Sequence, residues 1–493
     1  MSFPLSTFPR RSAAAGFAGR AAAVLGALAA LAPAVPLAAQ TAPGAPGAPG
    51  RPPAFQPLRF DEDWSAPPAA EALESDPLLR VKHIGFARAG DVYLSVGGHV
   101  RERAEAVRHF GLDATPGRND GYLLSRVYAH GDLHLGSHLR VFVEGKRAAA
   151  TSRTLPGSPR PTDVDHIDLQ NAFADVTVGA RAALQATARV GRQEMVVGRG
   201  RLVDIVDWAN NRTIYQGARV RLAHGPLALD AFWVNPVTMR IDAGNARDTL
   251  ARAWGVALGR GAGTVRNYEA YVIAWRGPRA STPQTSVHEN RVTVGLRAKT
   301  PFAAGVALDG ELGRQDGRAG TASIDAWFAA LELTRPFPTV ATTPVLVVGL
   351  DWATGDPNPA DGVAQGFSTL VSTGHGFLGD ADLLGRRNLL APHVGVTARP
   401  APPLALKAML YDYRRVRTAD GVYGKPGALF RAAGASTARH VGTELDLGAS
   451  YRLGRHLKLD AGVSRFAPGA FLTETNPTTA ALTWGYLGTT FTF

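Results

Sequence analysis

The chain has 493 residues, 45% of them hydrophobic, a formal charge of +12 and no cysteine. After the N-terminus no apolar run approaches the roughly 18 residues that a membrane-crossing helix needs, and one soluble core would not grow past roughly 250 to 300 residues. No basic run interleaves with aromatics, which points away from nucleic acid and toward anionic lipid or an anionic solute.

Arg10, Arg11 and Arg20 flank an apolar stretch at 21–31, and small residues follow to Ala39 and Gln40. This is the layout of an export signal spanning residues 1–39. Ser12-Ala13-Ala14 after the arginine pair lacks an apolar follow-up, so the ordinary secretory route is read over the twin-arginine one. Loss of the signal's three arginines leaves +9 (12 − 3) on the mature chain.

Residues 40–91 are read as a periplasmic leader. TAPGAPGAPGRPPAFQP at 41–57 is a Pro/Gly/Ala repeat that cannot bury enough of itself to order and is expected to be flexible. The mixed stretch that follows holds either a short helix at 69–74 or no element.

Residues 92–493 form one domain of about 18 segments in which apolar and polar residues alternate. They begin near Val92, Tyr122, Leu139, Ile167, Ala183, Gln216, Leu227, Thr249, Tyr268, Asn290, Val306, Ile324, Pro344, Asn388, Leu404, His440, Leu457 and Trp484. Val441, Thr443, Leu445, Leu447 and Tyr451 interleave with Gly442, Glu444, Asp446 and Ser450. A dry sandwich core would not carry such charges on its inner side. A closed membrane barrel, with lipid outside and water inside, would.

The connections support this. Long ones at 106–121, 149–166, 197–215, 235–248, 355–387, 417–439 and 468–483 interleave with short ones such as 136–138, 224–226 and 454–456. Outer-membrane barrels alternate long extracellular loops with short periplasmic turns, which implies an even strand number and two periplasmic termini. Phe367, Leu370, Phe377 and Leu378 make the 355–387 connection too apolar for free solution, so it should fold into or over the extracellular mouth. The final segment, Trp484 to Phe493, ends on an aromatic with Phe491 on the same face, which suits recognition by the outer-membrane insertion machinery.

Six stretches carry a resemblance: Gly98-His-Val-Arg-Glu-Arg103, Arg189-Val-Gly-Arg-Gln-Glu194, Gly217-Ala-Arg219, Thr354-Gly-Asp-Pro-Asn358, the run GHGFLGDADLLGRRN ending at Asn388, and Phe466-Ala-Pro-Gly-Ala-Phe471. In order and spacing they resemble the alginate export family of outer-membrane barrels. The resemblance implies an 18-stranded monomeric pore, whose named member passes an anionic exopolysaccharide through an electropositive constriction. That exporter has a long periplasmic turn before its penultimate strand that acts as a plug, whereas the turn here is only Gly454-Arg455-His456.

No catalytic signature holds, and no cofactor is expected. There is no GxSxG elbow and no HExxH, and Gly259-Arg-Gly-Ala-Gly263 lies between strands rather than between strand and helix. Asp356, Asn358 and Asp361 offer oxygen ligands at spacings a calcium loop could use, but the bidentate Glu of such a loop is missing, so a turn-rich extracellular loop is the better reading.

The candidate pore-lining residues are Arg101, Arg103, Arg126, Arg140, Lys146, Arg189, Arg192, Arg291 and Arg297. Arg192 would share a lipid face with Val190, and a charge there costs about 2–4 kcal/mol at mid-membrane. Either a bulge at Gly191 turns Arg192 inward or the strand has already left the membrane there, and the bulge is the favoured reading. Basic and acidic residues on the inward faces nearly balance, so their distribution decides selectivity. Either arginines of the first five strands gather at a constriction and grip carboxylates, or a ladder of cross-strand ion pairs merely satisfies a wide wall. The functions weighed are a conduit for an anionic polysaccharide or oligosaccharide, a diffusion porin for small anionic nutrients, and a barrel-anchored surface adhesin.

Overall fold

Alternating sequence becomes a wall because each strand turns one set of side chains outward and the other inward. The computed structural model describes residues 52–86, 91–180, 183–261, 267–280, 286–370, 375–425 and 427–493. The export signal and the leader up to residue 51 lie outside them.

Eighteen strands form the wall: β1 (Val92–Arg108), β2 (Asp120–Leu135), β3 (Leu139–Thr151), β4 (Asp165–Gly179), β5 (Leu184–Gln193), β6 (Tyr215–His224), β7 (Leu227–Thr238), β8 (Arg252–Arg260), β9 (Tyr268–Ala280), β10 (Ser286–Pro301), β11 (Ala307–Ala319), β12 (Ala322–Pro336), β13 (Val345–Ala353), β14 (Leu389–Ala401), β15 (Leu404–Arg414), β16 (His440–Leu453), β17 (Leu457–Pro468) and β18 (Leu482–Thr492). Each pairs antiparallel with the next, and β18 returns to β1 from His99↔Thr492 to Arg108↔Thr483. The sheet has no free edge, so every strand finds hydrogen bonds on both sides, as a bilayer demands.

Segment starts read from the alternation fall within four residues of these strands, the largest difference being Asn290 against Ser286. The ladder of β10 extends past the alternating stretch through Glu289, which pairs with Gly277 and Ala319 on the flanking strands, and His288, which pairs with Pro278.

The outer face inverts the burial of a soluble protein. Val190 is 63% exposed, Leu487 67% and Leu445 45%, while Glu444 and Asp446, between the outward residues of β16, are buried inside. Exposed leucines and valines recur on β2 to β7, β10 to β18, an apolar band for lipid.

The extracellular half of the interior is packed rather than open. Leu112, Leu378, Leu384, Phe466, Phe471 and Leu472 belong to one buried cluster. Met195, Leu202, Phe328, Phe367 and Leu370 belong to a second. Both are built by connections folded inward, chiefly residues 194–214 between β5 and β6 and the described parts of 354–388 between β13 and β14.

The leader also departs from expectation. A helix, α1 (Ala70–Ser75), stands close to the suggested position, but residues 52–61 are not free. Phe60 is 4% exposed against Phe142 and Phe173, and Trp64, Leu79 and Lys82 are equally buried. The composition argument counted only what this segment could bury against itself. It orders instead against the barrel, and Ile84–Gly85 pairs with Leu94 and Tyr93 at the start of β1.

Candidate pore constriction

The register of β1 on β2 sets Arg101 directly opposite Arg126, and both point into the lumen. Two facing guanidiniums repel unless something accepts from both. The inward connection provides it. Arg101 donates to the carbonyl oxygens of Asp207 at 2.9 Å, Trp208 at 3.2 Å and Ala209 at 3.0 Å. Arg126 donates to the same Asp207 and Ala209 carbonyls and to Asp207 Oδ1 at 2.9 Å. Arg103, two residues along β1, reaches the Trp208 carbonyl at 2.8 Å and Glu105 at 2.7 Å.

Asp207 is also held by Arg212 Nε at 2.6 Å. The Asp207 side chain is 48% exposed; partial desolvation in the lumen opposes ionisation, but the guanidiniums of Arg212, Arg126 and Arg101 hold its carboxyl well below the usual carboxylate range. Trp208 is sandwiched, with the Arg103 guanidinium 3.8 Å from its ring centre and His375 stacked on it at 4.0 Å. Burial, with Lys425 nearby, keeps His375 neutral by pushing its pKa well below the usual value. A neutral ring stacks on the indole without adding a charge.

The same connection crosses to the opposite wall. Arg201 meets Glu311 of β11 at 2.8 Å, and Arg386 binds Asp351 of β13 at 2.7 Å while donating to the Arg201 carbonyl. Residues 194–214 thus bridge the lumen from β1 and β2 to β11.

The structure therefore divides the arginines expected to line the pore. Arg101, Arg103 and Arg126 gather at mid-lumen. Arg140 with Asp132, Lys146 with Asp165, Arg189 with Asp175, Arg291 with Glu289 and Arg297 with Asp309 form short ion pairs along the wall, 2.7–2.9 Å apart.

Arg192 belongs to neither group. The ladder of β5 runs unbroken through Gly191↔Phe173 and Arg192↔Ala172, so there is no bulge at Gly191. The irregularity lies on β4, where Gln170 is skipped between Glu144↔Asn171 and Gly145↔Leu169. Arg192 stays on the Val190 side near the end of its strand, bound to Asp168 at 3.1 Å and to the Asn245 carbonyl. At the rim, a paired outward arginine escapes the mid-membrane penalty.

Asp356, Asn358 and Asp361 each accept from a backbone N–H two residues ahead, at 3.1, 3.2 and 2.8 Å. That is turn chemistry. Among the described residues no group of three or more His, Cys, Asp or Glu side chains is placed to hold a metal.

Sequence reasoning did not single out Asp207, Trp208, Arg212, Arg201 or Arg386. The available signal was local: a tryptophan between acidic and amide residues, Val206-Asp-Trp-Ala-Asn-Asn-Arg212, in a connection too long for a simple loop.

The model of a family described as alginate export matches residues 92–485, nearly the whole barrel. The chain belongs to the alginate export family. Among solved structures it is similar to three proteins of Pseudomonas aeruginosa. OccK2 (OpdF) is 12% identical at a TM-score of 0.55, covering 81% of this chain and 97% of that one. OpdO is 11% identical at 0.53, covering 81% and 97%. OpdQ is 10% identical at 0.53, covering 84% and 99%. At such identities they establish the shared fold. No curated protein matches. Family and fold together make this alginate export family member a pore of the bacterial outer membrane that passes solutes across it.

Proposed function

We propose that the pore conducts an anionic saccharide, a polysaccharide or oligosaccharide bearing carboxylates, without chemistry of its own on it. The observation that carries this reading is how the charge at the constriction is held. Along the wall Arg140, Lys146, Arg189, Arg291 and Arg297 each meet a carboxylate and the pair cancels. Carbonyl oxygens and Asn210 Oδ1 accept hydrogen bonds from Arg101 but leave its charge. With Arg103, Arg126 and Arg212 set against Asp207, Glu105 and Glu194, this part of the lumen carries net positive charge, and a solute that crosses it meets that charge.

The second reading, a diffusion porin for small anions, draws support from the size of the open spaces. The bridging connections leave lumen cavities of about 1270 and about 500 Å3, the scale of small-molecule sites. The pore works as a monomer in this proposal. The strand ending in Phe493, with Phe491 38% exposed on the outer face, addresses the insertion machinery.

Reversal potential in a planar bilayer under a potassium chloride gradient tests the anion preference. A potential of the sign set by chloride is expected, and cation preference would overturn the reading. Adding oligouronates of increasing length to one chamber separates the two substrates. Transient block that lengthens with chain length fits saccharide passage. Block by monomers alone favours the small-anion porin.

A further inference from the structure

The two lumen cavities share a partition made from the chain's own N-terminal segment. Gln56, Pro57 and Asp61 line both, as do Asp204 and Asp207 of the bridging connection. The segment enters at the rim of short turns, where the Pro52 and Pro53 carbonyls accept from Arg455 in the β16–β17 turn. Farther in, the Pro57 carbonyl accepts from Arg212 at 3.1 Å and the Phe60 carbonyl from Arg140 at 2.8 Å.

Phe60 fills a slot, with its ring edge-on to Phe142 at 5.7 Å and Phe173 at 5.2 Å and the Arg189 guanidinium 4.4 Å away. The next residue, Asp61, lines the cavity that Arg189, Arg219 and Arg221 also line; burial raises its pKa, against the opposing pull of Arg189, Arg219, Arg221 and Arg140. Arg59 anchors the whole, binding Glu62 and donating at 2.9 Å each to the carbonyls of Gly98 and Phe493.

These attachments suit release. Pro52, Pro53 and Pro57 have no N–H to leave unsatisfied, and an extended proline-rich stretch needs no internal hydrogen bonds. Residues 52–58 are held partly through carbonyl oxygens, which water can satisfy, and partly through Phe55, whose ring lies 4.4 Å from the Arg455 guanidinium and 5.6 Å from the His456 ring. A carboxylate among arginines beside an aromatic ring is also what an anionic saccharide would offer at this place.

We propose that residues 52–63 are an intramolecular plug occupying the solute's path, with Asp61 in the place of a solute carboxylate among the arginines of β3, β5 and β6. Plug and anionic solute then compete for one set of groups. The competition rests on the anionic-saccharide reading. The closure of the pore does not.

The test is single-channel recording on the full chain and on a Phe60→Ala, Asp61→Asn double variant, with heat-shifted gel mobility confirming a folded barrel in each. The variant is expected to spend several-fold more time open or to conduct several-fold more. Equal conductance and open time in parent and variant would overturn the plug. If the double variant does not fold, Arg59→Gln, which loosens the anchor without touching the arginine-lined cavity, should give the same rise, and no rise would again overturn it.

Sodium glucuronate added to the parent should raise its open fraction, and in Asp61→Asn should only block. Absence of any rise in the parent removes the competition. Reversal potentials from the same records keep the two ideas apart. Cation preference with a rise in the variant sinks the saccharide reading alone, whereas anion preference without a rise sinks the plug alone.

Discussion

Two segments enter the lumen, and they are held in opposite ways. Residues 194–214 are pinned at both ends, through the buried Arg101 and Arg126 on one wall and the buried Arg201–Glu311 pair on the other. Breaking the Arg201–Glu311 pair strands a charge and costs about 3–5 kcal/mol. Residues 52–61 are tied through their own carbonyl oxygens, the rings of Phe55 and Phe60, and Arg59, whose ion-pair partner Glu62 lies on the same segment. A net hydrogen bond to a charged guanidinium contributes about 1.5–3 kcal/mol, because water replaces part of it. The first segment is fixed architecture, and the second is built to leave.

The comparison breaks most visibly if the fixed segment is freed. Arg101→Ala with Arg126→Ala leaves the Asp207, Trp208 and Ala209 carbonyls without those donors and Asp207 with Arg212 alone. A folded barrel with several-fold larger conductance and little anion preference is expected from conductance and reversal potential. Unchanged anion preference would show that the arginines serve only as struts.

A smaller effect is expected from Lys82, which lies beneath the plug beside the rings of Phe55 and Trp64. Burial lowers its pKa to about 7, against the opposing pull of Glu62. Undocked, it returns toward the ordinary value near 10.4. The docked state therefore binds fewer protons, so docking strengthens as pH rises from about 7 toward 10 and is weakest below 7. Open fraction should be greater at about pH 6 than at about pH 8.5, and Lys82→Met should remove that part of the dependence. A wild-type open fraction that falls on acidification beyond what Lys82→Met shows would contradict the sign.

The smallest effect is expected where charge is already cancelled. Replacing both Arg291 and Glu289 by alanine removes a pair bound at 2.9 and 3.0 Å and no net charge. Reversal potential should stay within experimental scatter of the parent. A shift comparable to that of the Arg101, Arg126 variant would mean that wall pairs set selectivity too.

The wall was legible in the sequence because it obeys a local rule. Alternation in 440–453 is enough to say which residues of β16 meet lipid, and Leu445 and Glu444 lie on the faces read for them. The interior was less legible, because what an inward arginine binds depends on where a distant connection goes. Arg101 and Arg189 look alike in sequence, yet one meets the carbonyls of residues 207–209 and the other the cross-strand Asp175. Arg192 shows the limit of the periodicity argument. Its parity was right; of the two outcomes the parity left open, the favoured bulge is absent and the strand instead ends there, beside Asp168. Residues 52–57 failed a test of self-burial that did not apply, since their partners, Arg455 and Arg212 among them, lie on a distant turn and a distant connection.

The grip of Arg59 on the carbonyls of Gly98 and Phe493 also sets an order in time. Gly98 lies on the first strand, and Phe493 follows the eighteenth. Their backbones exchange N–H···O bonds at 3.0 Å only once the final strand has closed on the first. The anchor therefore does not exist while the chain is being synthesised, crossing the periplasm or entering the membrane with its seam open. Arg59 leaves the ribosome early but must wait for the strand farthest from it in sequence. Sealing of the pore is thereby made the last event of its assembly, and a barrel that fails to close fails also to acquire its stopper.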